Sequence, residues 1–110
     1  MAAGDVTIEF DSGRGGGIHR QQRLIAGVLT LDGGNPSPIA LASYFREVKG
    51  AVVSWRTSSA QGVDPTTVTC VVSGTTVNVY AWKVTSSGNP TLIASTDNAN
   101  RVSFIAWGIP

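Results

Sequence analysis

Apolar and polar residues alternate with period two along much of this chain, a pattern that predicts β-strands. The first such segment, Asp5–Asp11, places Val6, Ile8 and Phe10 on one face of a strand. Further strands are predicted at Arg23–Leu31, Val48–Arg56, Thr91–Ser95 and Arg101–Ile109. In the second of these, Ala51, Val53 and Trp55 face one way and Val52 and Ser54 the other.

The clearest local signal is a β-hairpin over residues 68–82. Two β-rich runs are joined there by a short turn that contains Gly74, which is typical of a hairpin. The second run presents Val77, Val79 and Ala81 on one face and Asn78, Tyr80 and Trp82 on the other. Both faces of this second run therefore carry large side chains.

Only one short segment favours a helix. A serine before Pro38 matches the preferences of a helix N-terminus and predicts two turns over Ile39–Phe45. Six or seven strands with at most one short helix predict an all-β fold, an antiparallel β-sandwich or a partly closed barrel. We expect one domain spanning residues 1–110, since 110 residues is close to the commonest domain size.

Composition adds a statement about the surface. Hydrophobic residues make up 42% of the chain and charged residues 14%, so the chain is expected to fold rather than remain disordered. Ser, Thr, Asn and Gly supply most of the polarity, which leaves much of the exterior neutral or apolar. Such an exterior suits packing against other protein subunits.

Net charge and cysteine usage limit the partners and the compartment. The formal net charge of +1 gives no general attraction to nucleic acid or to an acidic membrane, so neither is expected as a direct partner. Cys70 is the sole cysteine, which excludes an intramolecular disulfide and favours assembly in a reducing cytoplasm. The start, Met1–Asp5, lacks the pattern of a secretory signal, and no segment is apolar enough to span a bilayer.

Catalytic chemistry finds little support in the sequence. His19 is the only histidine, and it falls in a glycine-rich loop where a general base could not be held against a nucleophile unless the loop docks. One cysteine and one distant histidine do not make a zinc site. The seven acidic residues fall mostly at predicted strand ends and turns. The glycine cluster at residues 13–17 lacks the Gly-Lys-Ser/Thr ending of a phosphate-binding loop. We therefore expect no enzyme activity, no cofactor and no metal.

Residues 12–22 are predicted to form a flexible loop rich in glycine and arginine. Together with the start of the next strand, this segment carries the candidate capsid or subunit contacts Arg14, His19, Arg20 and Arg23. The planar guanidinium groups of arginines in a flexible loop suit hydrogen bonding to the acidic face of another protein subunit. A solvated loop without a role is an equally good interpretation.

The aromatic residues Trp55, Trp82, Trp107, Tyr44 and Tyr80 allow a second reading, a platform for sugar rings. That reading requires them to be exposed on one sheet face or rim. Each tryptophan lies inside a predicted strand, which favours packing in the core or in a subunit interface.

The C-terminal half carries a family resemblance. Its segments Val72–Trp82, Asn89–Thr96 and Val102–Gly108 resemble small β-sandwich structural proteins of tailed bacteriophages, several of which are capsid decoration (cement) proteins. The resemblance covers roughly residues 66–109; the front half matches only in its organisation of strands, Gly-Gly and Pro-rich turns. No residue with a family function is transferred, because these motifs are compositional.

The resemblance implies a virion protein that binds the outside of the shell of major capsid protein, assembles in the host cytoplasm and stabilises the shell. A homo-oligomer, trimer or dimer, is expected at local symmetry axes. Alternatives are another virion component, such as a tail or head-fibre protein, and a carbohydrate-binding β-sandwich module that takes a host glycan.

Overall fold

The computed structural model describes residues 4–12, 22–56, 67–86, 89–96 and 100–110. Those residues form eight strands and no helix, which confirms the all-β prediction. The strands are β1 (Val6–Asp11), β2 (Arg23–Thr30), β3 (Ser37–Ala40), β4 (Glu47–Trp55), β5 (Thr67–Ser73), β6 (Thr76–Ser86), β7 (Asn89–Ala94) and β8 (Arg101–Ile109).

The strands make two antiparallel sheets. The first has the order β1-β2-β8-β4, and the second has the order β3-β6-β5 with β7 also paired to β6. Alternate residues of each sheet point inward and meet in one apolar core, as in a β-sandwich. Its fully buried side chains include Ile25, Leu29, Ile39, Leu41, Val77, Val79, Val102, Phe104 and Ala106.

The predicted helix at Ile39–Phe45 is wrong. Residues 37–40 form β3, which pairs with β6, and only a single turn follows, in which the N–H groups of Tyr44 and Phe45 donate to the carbonyl of Leu41. Ile39 and Leu41 are both fully buried, and a spacing of two puts them on one face of an extended chain. Pro38 is tolerated because β3 lies at a sheet edge. This strand raises the count from the expected six or seven to eight.

The prediction that Phe10 shares a face with Val6 and Ile8 is also wrong. The β1–β2 register shifts between Ile8 and Phe10, so Phe10 lies opposite Ala26. Such a bulge inserts one extra residue and turns the following side chain to the other face. Ile8 packs against the core, whereas Phe10 is turned outward.

The predicted hairpin is present as β5 and β6. Ser73 pairs with Thr76, which leaves Gly74 and Thr75 as a two-residue turn. Gly74 has φ +63°, the conformation that the first central residue of a type II′ hairpin turn requires. Val77, Val79 and Ala81 point into the core, as predicted.

The side chain of Asn35 completes the backbone hydrogen bonding of β6 at the point between its neighbours β3 and β7. β3 pairs with β6 as far as Val79, and β7 begins its pairing at Trp82. The buried N–H of Ala81 falls between them and donates to Asn35 Oδ1 at 2.9 Å.

Replacing Asn35 with alanine should lower the free energy of unfolding by about 1–3 kcal/mol, because it leaves a buried N–H without an acceptor. Urea unfolding followed by tryptophan fluorescence measures the loss. Asn35→Asp keeps an acceptor oxygen and serves as the control. Equal losses in the two variants would contradict the role assigned to this hydrogen bond.

Candidate interaction surfaces

Of the four candidate contact residues from the glycine-rich segment, the structure describes only Arg23. Its guanidinium forms two hydrogen bonds with the Asp11 carboxylate, Nε to Oδ1 at 2.9 Å and Nη2 to Oδ2 at 2.6 Å. Nη1 donates to the carbonyl of Tyr44 at 3.1 Å, and the guanidinium lies 5.3 Å from the centroid of that ring. Arg14, His19 and Arg20 lie outside the described residues.

Arg23 therefore serves the fold itself. The hydrogen bonds with Asp11 raise the pKa of the guanidinium against the opposing effect of desolvation, and the side chain is only 12% exposed. The residue ties β2 to β1 and to the turn after β3. The guanidinium thus uses its hydrogen-bond donors and its flat face within the chain, on Asp11 and Tyr44.

The three tryptophans do not share a face. Trp55 packs against the core from β4, Trp107 projects from the outside of the first sheet, and Trp82 projects from the outside of the second. Tyr80 and Trp82 stack on each other, with ring centroids 6.1 Å apart and planes inclined by 13°. Trp82 Nε1 donates to Thr69 Oγ1 at 3.0 Å, which fixes the indole on the sheet.

The outside of the first sheet carries an apolar row that crosses all four strands. Phe10 lies opposite Ala26, Ala26 opposite Ile105, and Ile105 opposite Val52. Phe10 is 54%, Ile105 41% and Val52 53% exposed. These side chains are large, apolar and in contact with solvent.

A second row extends this surface along the strands. Leu24 lies opposite Trp107, and Trp107 opposite Gly50. The indole lies directly over Gly50, since a methyl group there would come within 2.4 Å of it. We call the two rows together the apolar face; its members are Phe10, Leu24, Ala26, Gly50, Val52, Ile105 and Trp107.

The apolar face contains a shallow depression of about 140 Å³ between β4 and β8. Its walls are formed by Val52, Val53 and Ser54 on one strand and by Ser103, Phe104 and Ile105 on the other. The lining is largely apolar, so the depression suits a hydrocarbon side chain better than a polar ligand.

An ion pair borders the apolar face. Glu9, in the β1 bulge, is paired with Arg56, directly after β4, and these two strands are the opposite edges of the sheet. In a flat sheet the two edges would lie about 14 Å apart, a distance that the twist of the sheet and the two long side chains bridge together. Val28 projects from the same side of the sheet, outside the core cluster, and is only 3% exposed.

A second exposed feature is the end of the β6–β7 hairpin from Trp82 to Ala94, which we call the arm. β7 packs on β6 and makes no comparable contact with another strand of the described chain. Leu92 is 49% and Ile93 41% exposed, and as neighbours on a strand they point to opposite faces. The arm belongs to an elongated molecule measuring 55 × 23 × 20 Å.

The described residues contain no cluster of three or more His, Cys, Asp or Glu side chains placed to hold a metal ion. Cys70 Sγ lies 3.6 Å from the carbonyl of Ala51, and burial raises the pKa of this thiol. A raised pKa keeps the sulfur protonated and poorly nucleophilic. No helix among the described residues is long and apolar enough to cross a membrane.

Comparison with known proteins returned no match to a protein-family model, a curated protein or a solved structure.

Sequence reasoning missed the apolar face, although one strand carried a signal for it. In residues 101–109, Val102, Phe104 and Ala106 occupy one face while Ile105 and Trp107 occupy the other. A strand that is apolar on both faces in a two-layer fold has one face for the core and one for a partner. The Phe10 contribution had no such signal, because it depends on the bulge.

Proposed function

We propose that this chain is a structural subunit that acts by binding other protein subunits, and specifically a capsid decoration (cement) protein of a tailed bacteriophage. The observation that supports this most is the exposure of large apolar side chains on the outsides of both sheets of a weakly charged fold. Exposed apolar patches on small folds mark protein–protein contacts. The resemblance of residues 66–109 to such virion proteins points the same way.

In this proposal the chain binds the outside of the major capsid protein shell and bridges neighbouring capsid subunits. Each contact is modest, but binding through several copies raises the overall affinity by avidity. The capsid shell is then held more firmly against internal pressure.

We assign the capsid contact to the arm. An isolated two-stranded hairpin is marginally stable in water, and the arm keeps apolar side chains exposed on both of its faces. Docking against a capsid subunit would bury Leu92 and Ile93 and stabilise the hairpin.

The test is binding to purified capsids, measured by co-sedimentation and by the melting temperature of the capsid. The unaltered chain should bind at a copy number commensurate with the shell and raise the capsid melting temperature. Leu92→Asp should weaken binding by about 10- to 100-fold, because it places a charge in a buried contact. Ser73→Asp adds the same charge at the end of β5, beside the start of β6 and away from the arm, and should bind normally.

Failure of the unaltered chain to bind capsids would overturn the decoration proposal. Binding at a few copies per particle, located at the tail or at a fibre, would assign the chain to the other virion components. The Tyr80–Trp82 pair gives the carbohydrate alternative its own test. A glycan-array signal that is lost in Trp82→Ala would replace the decoration proposal.

A further inference from the structure

The apolar face is large enough to form half of a stable interface. Its five large side chains, Phe10, Leu24, Val52, Ile105 and Trp107, expose between 36 and 54% of their surfaces. This amounts to roughly 400 Å² if a full side chain of this kind presents about 150–250 Å². A standard interface buries about 800 Å² per partner, somewhat more than half of it apolar.

Two ion pairs flank the apolar face, and its two rows contain no charged residue. Glu9 pairs with Arg56, and Lys49 pairs with Glu47 beside the second row at 3.2 Å. A twofold interface brings the same patch of two subunits together, so a patch of one charge would repel its copy. Uncharged rows avoid that repulsion.

We propose that the apolar face is the interface of a homodimer, in which two copies of this chain pack their first sheets face to face. The twofold axis runs along the strands, between β2 and β8. This goes beyond the proposed function, because it assigns the self-contact and does not require the capsid. Sheets packed in this aligned manner keep their strands within about 30° of each other.

The cross-strand register supports this axis. The row Phe10–Ala26–Ile105–Val52 lies at one level along the strands, and rotation about an axis parallel to the strands preserves that level. Each row therefore meets its copy in reverse order. Ala26, the smallest member, faces Ile105 of the second copy, and Phe10 faces Val52.

The depression supplies the matching shape. Phe10 is the bulkiest exposed side chain of its row, and Val52 and Ile105 line the depression of about 140 Å³. The proposed axis places the Phe10 ring of each copy over the depression of the other. A protruding ring and a hollow on one surface are the self-complementary pair that a twofold contact needs.

The arrangement leaves the second sheet of each copy on the outside of the dimer. Both arms then remain available, and one dimer offers two contacts to a capsid or another assembly. Two linked contacts bind more tightly than one if the target sites match their spacing.

The test is the oligomeric state of the full chain by sedimentation equilibrium. The unaltered chain should be a dimer. Phe10→Lys and Val52→Glu should each weaken the dimer by about 100-fold or more, because each buries an unpaired charge twice. Val71→Glu adds a charge at an equally exposed valine on the second sheet and should remain a dimer.

Mixing the two single variants tests the proposed axis. A Phe10→Lys chain and a Val52→Glu chain place lysine opposite glutamate at one contact and keep the original contact at the other. We therefore expect heterodimers although neither variant dimerises alone. Thermal unfolding of each variant confirms that it is folded.

Four outcomes would overturn the proposal: a monomeric unaltered chain, single variants that remain dimers, a mixture that stays monomeric, or a dimer lost equally in Val71→Glu. Loss of capsid binding with an intact dimer would remove only the proposed function, so the two failures can be told apart.

Discussion

Phe104→Ala should lower the free energy of unfolding by about 3–5 kcal/mol, the usual loss for a large buried aromatic side chain. Phe104 is 1% exposed at the centre of β8 and belongs to the core cluster shared by both sheets. Its ring would also lie 3.1 Å from a methyl group added at Gly27, so the two central strands are fitted closely around it. Chemical denaturation with two spectroscopic probes measures the loss.

Ile105→Ala is the matched control, because it removes a large side chain from the adjacent residue of the same strand. Ile105 points to the apolar face and is 41% exposed, so its loss should change monomer stability by less than about 1 kcal/mol. It should weaken the dimer instead. If both variants lost the same stability, the assignment of the two faces of β8 would be wrong.

The fold class was predictable from the sequence because strand periodicity is local. Alternation in Val48–Arg56 and the Gly74 turn depend on residues that are neighbours in the chain, and both predictions are confirmed. The short β3 strand was misread, because a serine before Pro38 satisfies the rules for a helix start. Pairing with β6 and burial of Ile39 and Leu41 in the core make this segment a strand, because tertiary packing overrides local propensity.

The interaction surfaces were less predictable, since they depend on which strands become neighbours. The row from Phe10 to Val52 joins residues far apart in sequence, and its first member reaches the outside only through a bulge. Arg23 looked like part of a basic arm because its neighbours are arginine, histidine and glutamine. Its partners within the chain, Asp11 and the Tyr44 carbonyl, are brought to it by strand pairing and by the turn after β3.

The two exposed apolar surfaces are proposed to bind different partners. The apolar face has uncharged rows and a self-complementary register, which suit a second copy of the chain. The arm exposes Leu92 and Ile93 on opposite faces, which suits insertion against a different partner. A subunit that uses one sheet for itself and the other for its target keeps both contacts available at the same time.

Gly27→Ala should disrupt the apolar face by displacing the backbone of β1. A methyl group at Gly27 would lie 2.3 Å from the carbonyl oxygen of Thr7 and 3.2 Å from the Cα of Ile8. Both atoms belong to the backbone of β1, so the strand itself must move. We expect a loss of about 3 kcal/mol in unfolding free energy, at the upper end for overpacking, and loss of the dimer, since Phe10 and Glu9 move with β1.

Gly50→Ala separates a backbone clash from a side-chain clash. The added methyl would lie 2.4 Å from the Trp107 indole, which is a side chain and can shift without displacing a strand. We expect a loss of about 1 kcal/mol and a change in tryptophan fluorescence as the indole moves. Hydrogen exchange should show faster exchange of β1 amides in Gly27→Ala and not in Gly50→Ala, because only the first substitution displaces a strand. Protected β1 amides in Gly27→Ala would mean that β1 tolerates the methyl group, and the dimer should then survive as well.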